Sequence, residues 1–582
     1  MTWKADDPQG NEAAKIRWEL VKYTRGRVLD VGCGMYKAFP HFIGVDNCAD
    51  TRLFGHPIKP DIFVPDACDL GLFATEQFDA LFSSHLLEHI PEKDLVRCLR
   101  EWLRVVKVDG YLILYLPDET LYPKVGEQHA NPDHKWNVSY TGVIDLMKKV
   151  AEKGNAWDLV DWQRRDQGTE YSLFFVFQKR AKGRTYGFSC SIPGHGKKTA
   201  AVVRYGAYGD LLQCSSVISA LKAEGYHVTL YTSTPQNEVM ANDPNIDAFY
   251  LQDRDQVPNQ ALGEFWAYHA AKFDKWVNLS ESVEGTLLAM NPRMPFLITP
   301  EARHKILDVN YVEFQHLVAG VPLGQHAANI RFYPTKAERA WAHEERARMG
   351  EFVVVYALNG SSVHKRWPWM DQLIAALLVD YPDLHIVLVG GEEGQILEQG
   401  WFGWDKDPAK HPDARKIQTE PRVHCRSGVW SIRETLSFIE TADLVFGPET
   451  GVLNAAAMLP MPKVVLLSHS TVENLCRDWV NTHAIASSDT ECPGRGKNAA
   501  PACHQMHYNW DACRQALFPA DAGELAGQPM GVAQCQADLT FDDVYRVVWH
   551  VVKWEQERKN PDTDGPGDVL LAPPPADIHP AI

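Results

Sequence analysis

Short apolar runs alternate with amphipathic stretches along most of this chain, the pattern of strands and helices in a parallel α/β fold. Val28–Val31, Phe42–Val45, Phe78–Ser83 and Tyr111–Leu116 read as strands. Between the last two, Glu92–Val106 sets Leu95, Val96, Leu99, Trp102, Leu103 and Val106 at three-and-four spacing, which predicts a helix with one apolar face. Glu12–Tyr23 predicts another helix over the same sheet, and Ser139 can cap one running to Val150. Trp157–Arg165 and Tyr171–Lys179, around Gln167 and Gly168, predict a closing β-hairpin. The pattern restarts with strands at Ala201–Tyr205 and Tyr226–Tyr231 flanking a helix from Asp210 to Leu221. It restarts again at Phe352, with strands from Leu384 and Leu444 and helices at Ser431–Thr441 and Val452–Leu459. Phe541–Gln556 carries Val544, Val547, Val548, Val551, Val552 and Trp554 on an apolar stripe, with Asp542 and Asp543 in its first turn, and predicts a last helix.

Composition narrows the class. At 582 residues the chain is long enough for about three to four domains, and 45% hydrophobic residues suit substantial cores. A net charge of −17 gives no global basic field for nucleic acid or an anionic membrane. No apolar run reaches the ~18 residues of a membrane span, and MTWKADDPQG is not a signal peptide. Twelve cysteines spread through predicted strands and helices indicate reduced thiols and a cytoplasmic setting.

Candidate chemistry begins at the first strand. Gly32 and Gly34 follow it, where a residue without Cβ lets the backbone turn sharply and approach a ligand, and Asp46 stands at the tip of the second strand. Lys37 occupies the place of a third glycine, Asp46 comes 14 residues after Gly32 rather than about 20, and Pro40 disfavours an intervening helix. Without a helix N-terminus under the turn, pyrophosphate binding loses its support, which argues for a nucleoside without phosphates.

The stretch RVLDVGCGMYKAFPHFIGVD, then Asp66-Ala67, FDALFSSHLLEHI and LREWLRVVKVDGYLILYLPD, resembles class I S-adenosylmethionine-dependent methyltransferases of the small-molecule type over roughly residues 13–180. The family usually has Pro-Gly-Gly where this chain has Val108-Asp109-Gly110. The resemblance implies that Asp30, Gly32, Gly34, Asp46, Asp66, Ala67 and Ser84 form the S-adenosylmethionine site. It also turns the loop holding His129 and His134 toward the methyl acceptor, where either histidine can be a general base; a metal held by this loop is a weaker alternative, as is a merely structural histidine.

Residues 181–199, rich in glycine and basic residues, read as a linker. Beyond it, VVRYGAYGDLLQCSSVISALKAEGYHVTLYTS, Trp276-Val277-Asn278-Leu279, FVVVYALNGSS, His364-Lys365-Arg366-Trp367-Pro368 and Pro448-Glu449-Thr450-Gly451 resemble the heptosyltransferase-like glycosyltransferases over about residues 200–470. That resemblance implies a GT-B architecture, an inverting reaction without a metal, and an ADP-sugar or other nucleotide-sugar donor. Asp210 falls where the family has its catalytic base; the alternative is a helix cap. Ser361, Ser362, Lys365, Glu392, Glu449, Thr450 and Gly451 would hold the nucleotide sugar. The family's Asp-Ser/Thr-Gly-Pro-x-His differs here at Glu449 and Asn454, and such transferases often end in a helix that crosses back to the first domain of the pair.

Cys492, Cys503, His504, His507 and Cys513, with Cys535 further on, can hold one structural zinc, although no C-x2-C pair is present. The expected plan is α/β throughout: 1–180 methyltransferase, 181–199 linker, 200–335 and 336–490 the two GT-B domains, 491–538 a Cys/His-rich insertion, 539–558 a C-terminal helix and 559–582 a disordered tail. The expected function is bifunctional: methyl transfer and glycosyl transfer on one glycan or glycoconjugate. Two alternatives stand beside it. One is a single-activity methyltransferase with a degenerate transferase-like scaffold. The other is modification of nucleobases in DNA, through a basic cleft of Lys197, Lys198 and Arg204.

Overall fold

Val28–Val31 (β1) is the strand on which the first sheet is built, because every one of its residues is buried. In the computed structural model, residues 11–48, 58–181, 185–189, 198–281, 309–324, 330–360, 363–399, 416–468, 470–487 and 533–559 are described. The rest of the first sheet is Ile43–Asp46 (β2), Ile62–Phe63 (β3), Phe78–Ser84 (β4), Val106–Pro117 (β5), Trp157–Arg165 (β6), Ser172–Lys179 (β7) and Tyr186–Phe188 (β8). The order is β3-β2-β1-β4-β5-β7-β6-β8. β1, β2, β4 and β5 run parallel, and β7 is antiparallel to both β5 and β6.

Helices Glu12–Leu20 (α1), Leu95–Val105 (α2) and Tyr140–Glu152 (α3) accompany this sheet. Asn11 and Ser139 cap α1 and α3 by accepting the N–H groups of Ala14 and Gly142. The predicted stripe of α2 is buried at Leu95, Leu99, Trp102 and Leu103; the helix stops at Val105, and Val106 instead opens β5. The turn expected at Val108–Gly110 is a kink inside β5. Asp109 takes φ +64° where a glycine was expected, and a Cβ on Gly110 would stand 2.5 Å from the Asp79 carbonyl oxygen.

Two boundaries move. The linker expected at 181–199 contributes β8, parallel to β6, with Tyr186 stacked on Trp157 at 5.3 Å. The segment Tyr250–Asp274, expected inside the first GT-B domain, clusters instead with Met1–Lys197 as one compact unit. Its helix Leu262–Ala270 (α5) brings Tyr268 toward Glu19 of α1; the Tyr268 hydroxyl and the Lys272 ammonium, each 2.6 Å away, donate to the Glu19 carboxylate. Burial would raise the Glu19 pKa, but these donors and Arg165 hold it below the usual carboxylate value.

The second unit, Lys198–Phe249 with Lys275–Ile582, holds two further sheets. Thr199–Val203 (β9), His227–Ser233 (β10), Ala248–Gln252 (β11) and Lys275–Asn278 (β12) are ordered β11-β10-β9-β12. Phe352–Ala357 (β13), Leu384–Val389 (β14), Val423–Cys425 (β15), Leu444–Pro448 (β16), Lys463–Leu467 (β17) and Thr482–Ala486 (β18) are ordered β15-β14-β13-β16-β17-β18. Tyr208–Ala223 (α4), Tyr311–Ala319 (α6), Lys336–Arg346 (α7), Met370–Asp380 (α8), Glu392–Glu398 (α9), Ile432–Phe438 (α10) and Gly451–Ala456 (α11) connect them.

α4 is apolar on nearly every side because it is buried between the two sheets' elements. Leu211, Leu212, Val217 and Leu221 share one core with Val353, Val355, Val452 and Leu453. This shared core joins the two halves of the second unit. The last helix, Phe541–Lys559 (α12), does not cross back to the first sheet of the pair. Val544, Val548, Val551 and Val552 pack with Leu373, Ile374 and Leu377 of α8, and the Trp367 indole donates to the Leu539 carbonyl at 2.8 Å. The tail expected at 559–582 lies outside the described residues beyond Lys559.

Gly110→Ala must push its new methyl into backbone, so it should lower the stability of the first unit by about 1–3 kcal/mol. Gly263→Ala, on an open face of α5 with nothing within 4 Å of the added carbon, should raise it by about 0.5–1 kcal/mol. Urea unfolding of the full chain checks both signs.

Candidate functional site

Each sheet reverses its strand order at a central strand: β1 has β2 on one side and β4 on the other, β9 has β10 and β12, and β13 has β14 and β16. Connections leave to opposite faces there, which opens a crevice beyond the carboxyl ends of the strands. The candidate residues lie at these ends.

At β1, Gly32 and Gly34 take φ +73° and +52°, and a Cβ on Gly32 would meet the Leu86 side chain at 2.7 Å. The Asp46 carboxylate at the end of β2 accepts the Gly34 N–H at 3.1 Å and the Cys48 N–H at 2.7 Å. A carboxylate has about four acceptor sites, so two remain for ligand hydroxyls. Lys37, in the place of a third glycine, turns away from the crevice; its ammonium donates to the Phe42 carbonyl and to Asp61, each at 2.7 Å. Asp30 is fully buried beneath the turn, accepts the Ala38 N–H at 3.4 Å, and burial pushes its pKa up to about 7. Asp66 is held below the usual value, chiefly by the Cys68 N–H and also by Arg97. The Ala67 carbonyl takes the Trp102 indole N–H at 2.8 Å, anchoring that turn on α2. The Ser84 hydroxyl oxygen, at the end of β4, is buried without a hydrogen-bond partner among the described residues.

The loop histidines separate. His129 is exposed at φ +71°, whereas His134 is buried. His134 is drawn inward because the Lys135 N–H donates to the Glu88 carbonyl and the Trp136 indole to the Leu87 carbonyl, at 2.8 and 3.0 Å. It meets residues that the sequence reading treated only as motif: its ring lies 4.9 Å from that of His89, and its Nε2 is 3.9 Å from the fully buried Glu88 carboxylate. His85 Nδ1 approaches the same oxygen at 3.4 Å. Burial would raise the Glu88 pKa, but His85 and His89 hold it below the usual range, and burial lowers that of His134. The sequence offered only the close spacing of His85, Glu88 and His89, with nothing to tie them to His134.

In the second unit, Asp210 is the third residue of α4, and its carboxylate accepts the Ala207 N–H at 2.7 Å. This is a capping contact of the kind the alternative reading named. The other oxygen lies 3.6 Å from the Arg204 guanidinium, and the side chain keeps 23% exposure. Arg204 itself is buried and donates to the Leu279 carbonyl, so it does not form the surface basic cleft considered for DNA; Lys197 lies outside the described residues. Gly209 and Gly451 let the starts of α4 and α11 touch: a Cβ on Gly451 would stand 3.4 Å from the Gly209 nitrogen. Asn454, where the family has histidine, accepts the Gln213 amide at 3.0 Å and so ties α11 to α4.

Around the end of β13, the Lys365 stem lies 2.7 Å from a Cβ built on Gly360, with the Thr450 methyl at 3.1 Å from the same point. The Asn359 side-chain amide oxygen and the Thr450 hydroxyl are buried without hydrogen-bond partners among the described residues. Glu449 is buried and accepts from the Ser468 N–H and hydroxyl, at 2.7 and 2.6 Å; it supports the loop from within. Glu392 is exposed at the start of α9. Ser361, Ser362, Cys492, Cys503, His504, His507 and Cys513 lie outside the described residues, and Cys535 is buried beside Ala533 and Leu539. An Asp-x-Asp does occur, at Asp253–Asp255; Asp253 accepts the Gly26 N–H inside the first unit, and Asp255 is exposed. A second, Asp405–Asp407, lies outside the described residues. No helix among the described residues is long and apolar enough to cross a membrane.

With this geometry in view, residues 29–114 match the family model described as a methyltransferase domain. No curated protein matches the chain. Among solved structures, the chain is similar to ADP-heptose lps heptosyltransferase II of E. coli at 13% identity and a TM-score of 0.39, covering 62% of this chain and 99% of that one. It is similar to a glycosyl transferase family 9 protein of Veillonella parvula at 16% identity and 0.37, covering 50% and 85%. It is also similar to a SAM dependent methyltransferase of Archaeoglobus fulgidus at 18% identity and 0.22, covering 29% and 92%. The match to the methyltransferase-domain model falls on the first unit, across β1 to β5, and the second unit is built of two α/β sheets.

Because Asp30 ionises near pH 7 when folded but near 3.8 when unfolded, the unfolded chain binds fewer protons between those values, and this residue's contribution to stability falls as pH rises through that window. Asp30→Asn should remove that fall, so the difference in melting temperature between variant and wild type should grow in the variant's favour from pH 4.5 to 7.5, on the order of several degrees.

Proposed function

We propose that the chain is a bifunctional enzyme that methylates, with S-adenosylmethionine, and glycosylates, from a nucleotide sugar, a glycan or glycoconjugate acceptor. The observation that carries the first half is the Asp46 carboxylate, which holds the glycine turn and keeps acceptor sites for a ribose diol. The buried, unpartnered Ser84 hydroxyl beside that turn fits a polar ligand in the crevice. The chemistry supplied there by S-adenosylmethionine is a methyl group activated by a sulfonium charge. The chain's own task is to align an acceptor oxygen with that methyl and to exclude water. Gly32 and Gly34 let backbone approach the nucleoside, and Asp66 borders its adenine end. His134, neutral through burial, supports the role of base that takes the acceptor's proton; His129, exposed and apart, supports it less.

In the second unit Asp210 takes the proton of the acceptor hydroxyl as its oxygen attacks the anomeric carbon, giving inversion. Its contact with the Ala207 N–H orients the carboxylate, and its exposure leaves an oxygen for an acceptor. Lys365, the Thr450 hydroxyl and the Gly451 N–H stabilise the departing diphosphate, with Ser361 and Ser362 on the same turn. These donors would make the reaction independent of a metal. Asn454 is engaged with Gln213, which leaves the nucleotide to be read by groups around β14, Glu392 among them.

Asp46→Ala should weaken S-adenosylhomocysteine binding by about 10–100-fold, the worth of hydrogen bonds to a charged acceptor, while leaving nucleotide binding unchanged in calorimetry. Asp210→Asn should cut glycosyl transfer by about 10²–10⁴-fold, with donor affinity retained. Loss of donor affinity together with the rate would instead mark Asp210 as a structural cap.

A further inference from the structure

We propose that Glu88, His89 and His134 form a binding site for one divalent transition-metal ion of the Zn2+ type in the first unit. Their ligand atoms, one from each residue, all lie within 4.8 Å of one another, a spread that small side-chain rotations close onto a common centre. Glu88 is the second and independent sign. Its carboxylate is fully buried, and neither oxygen has a hydrogen-bond partner among the described residues. A buried carboxylate without hydrogen bonds is costly, and metal coordination is one of the few ways to satisfy it. His85 Nδ1 at 3.4 Å and His134 Nε2 at 3.9 Å lie within ion-pair distance of Oε1, outside hydrogen-bond geometry. His85 is itself turned by the Ser172 hydroxyl, 3.0 Å from its Nε2, and serves as a positioning residue beside the site.

Two imidazoles and one carboxylate are a borderline ligand set. Such sets favour Zn2+, Fe2+ or Co2+ over Mg2+ and Ca2+, which prefer oxygen alone. Three protein ligands leave a coordination position open, the hallmark of reactive rather than purely structural zinc sites. The framework is prepared by backbone: Lys135 and Trp136 bond the carbonyls of Glu88 and Leu87, so the two ligand-bearing segments are fastened to each other. Leu86, two residues before Glu88, touches the Gly32 turn. If that turn holds the methyl donor, as proposed above, the open position faces an acceptor hydroxyl or carboxylate and would lower the hydroxyl's pKa. With the metal bound, His134 is a ligand and the metal takes over its part in deprotonating the acceptor; that role rests on the methyltransferase reading, and the metal site itself does not.

The test is a Co2+ titration of the full chain after chelator treatment, read by visible absorbance and by calorimetry, with millimolar Mg2+ present throughout. Co2+ bound by nitrogen and oxygen gives d–d bands without the near-ultraviolet thiolate band of cysteine ligation, so any metal on the cysteine-rich stretch is separated by its spectrum. Wild type should bind one thiolate-free equivalent. Glu88→Gln and His134→Ala should each weaken it by at least 100-fold while keeping any thiolate signal. His89→Ala, at a half-buried position, serves if either of the others fails to fold, as judged by circular dichroism. No thiolate-free equivalent in wild type, or the same affinity and spectrum in folded variants, would overturn the site. S-adenosylhomocysteine binding, measured in parallel without Co2+, reports separately on the methyl-donor crevice.

Discussion

A parallel sheet sends its connections to opposite faces on either side of the strand where its order reverses, and this constraint gathers the chemistry-bearing groups of this protein. β1, β9 and β13 are such strands, each buried along most of its length. Beyond them stand the Gly32–Gly34 turn, the Arg204–Asp210 turn and the Asn359–Lys365 turn. The sheets supply rigidity; the turns carry the glycines, carboxylates and cations that local sequence can vary.

Much of this was legible in the sequence because it is local. Strand runs, the glycine turns, Asp46 and the cap at Ser139 depend on neighbours within a few residues, and periodicity plus turn chemistry finds them. The Glu88–His89–His134 cluster was not legible, because what unites it is a pair of hydrogen bonds from Lys135 and Trp136 to a turn far back in the chain. β8 was missed for a related reason. Its three residues sit in a stretch rich in glycine and lysine, and they are held by pairing with β6 and by the Trp157 ring. The seat of α12 on α8 was also decided by tertiary packing, which an apolar stripe predicts without naming its partner.

The substitutions that set this chain apart from its resemblances have physical uses. Lys37 replaces a glycine and ties β2 to Asp61, reinforcing the floor of the crevice in the absence of a helix there. Asp109 adopts the left-handed conformation that a glycine would take more readily, at the point where β5 bends. Asn454 gives up a ligand-facing imidazole for a bond to Gln213 on α4. Glu449 turns inward onto Ser468, stiffening the loop that presents Thr450 and Gly451. In each case a side chain is spent on holding a turn, and the backbone of that turn is left to meet the ligand.

The central claim is that the crevice at the carboxyl ends of β1 and β4 holds the methyl donor. A crystal structure of the full chain grown with S-adenosylhomocysteine tests it most directly. The account predicts the nucleoside beyond Gly32–Gly34, its ribose hydroxyls on the Asp46 carboxylate and its adenine beside Asp66. Density for the ligand elsewhere, or an empty crevice under saturating ligand, would contradict it.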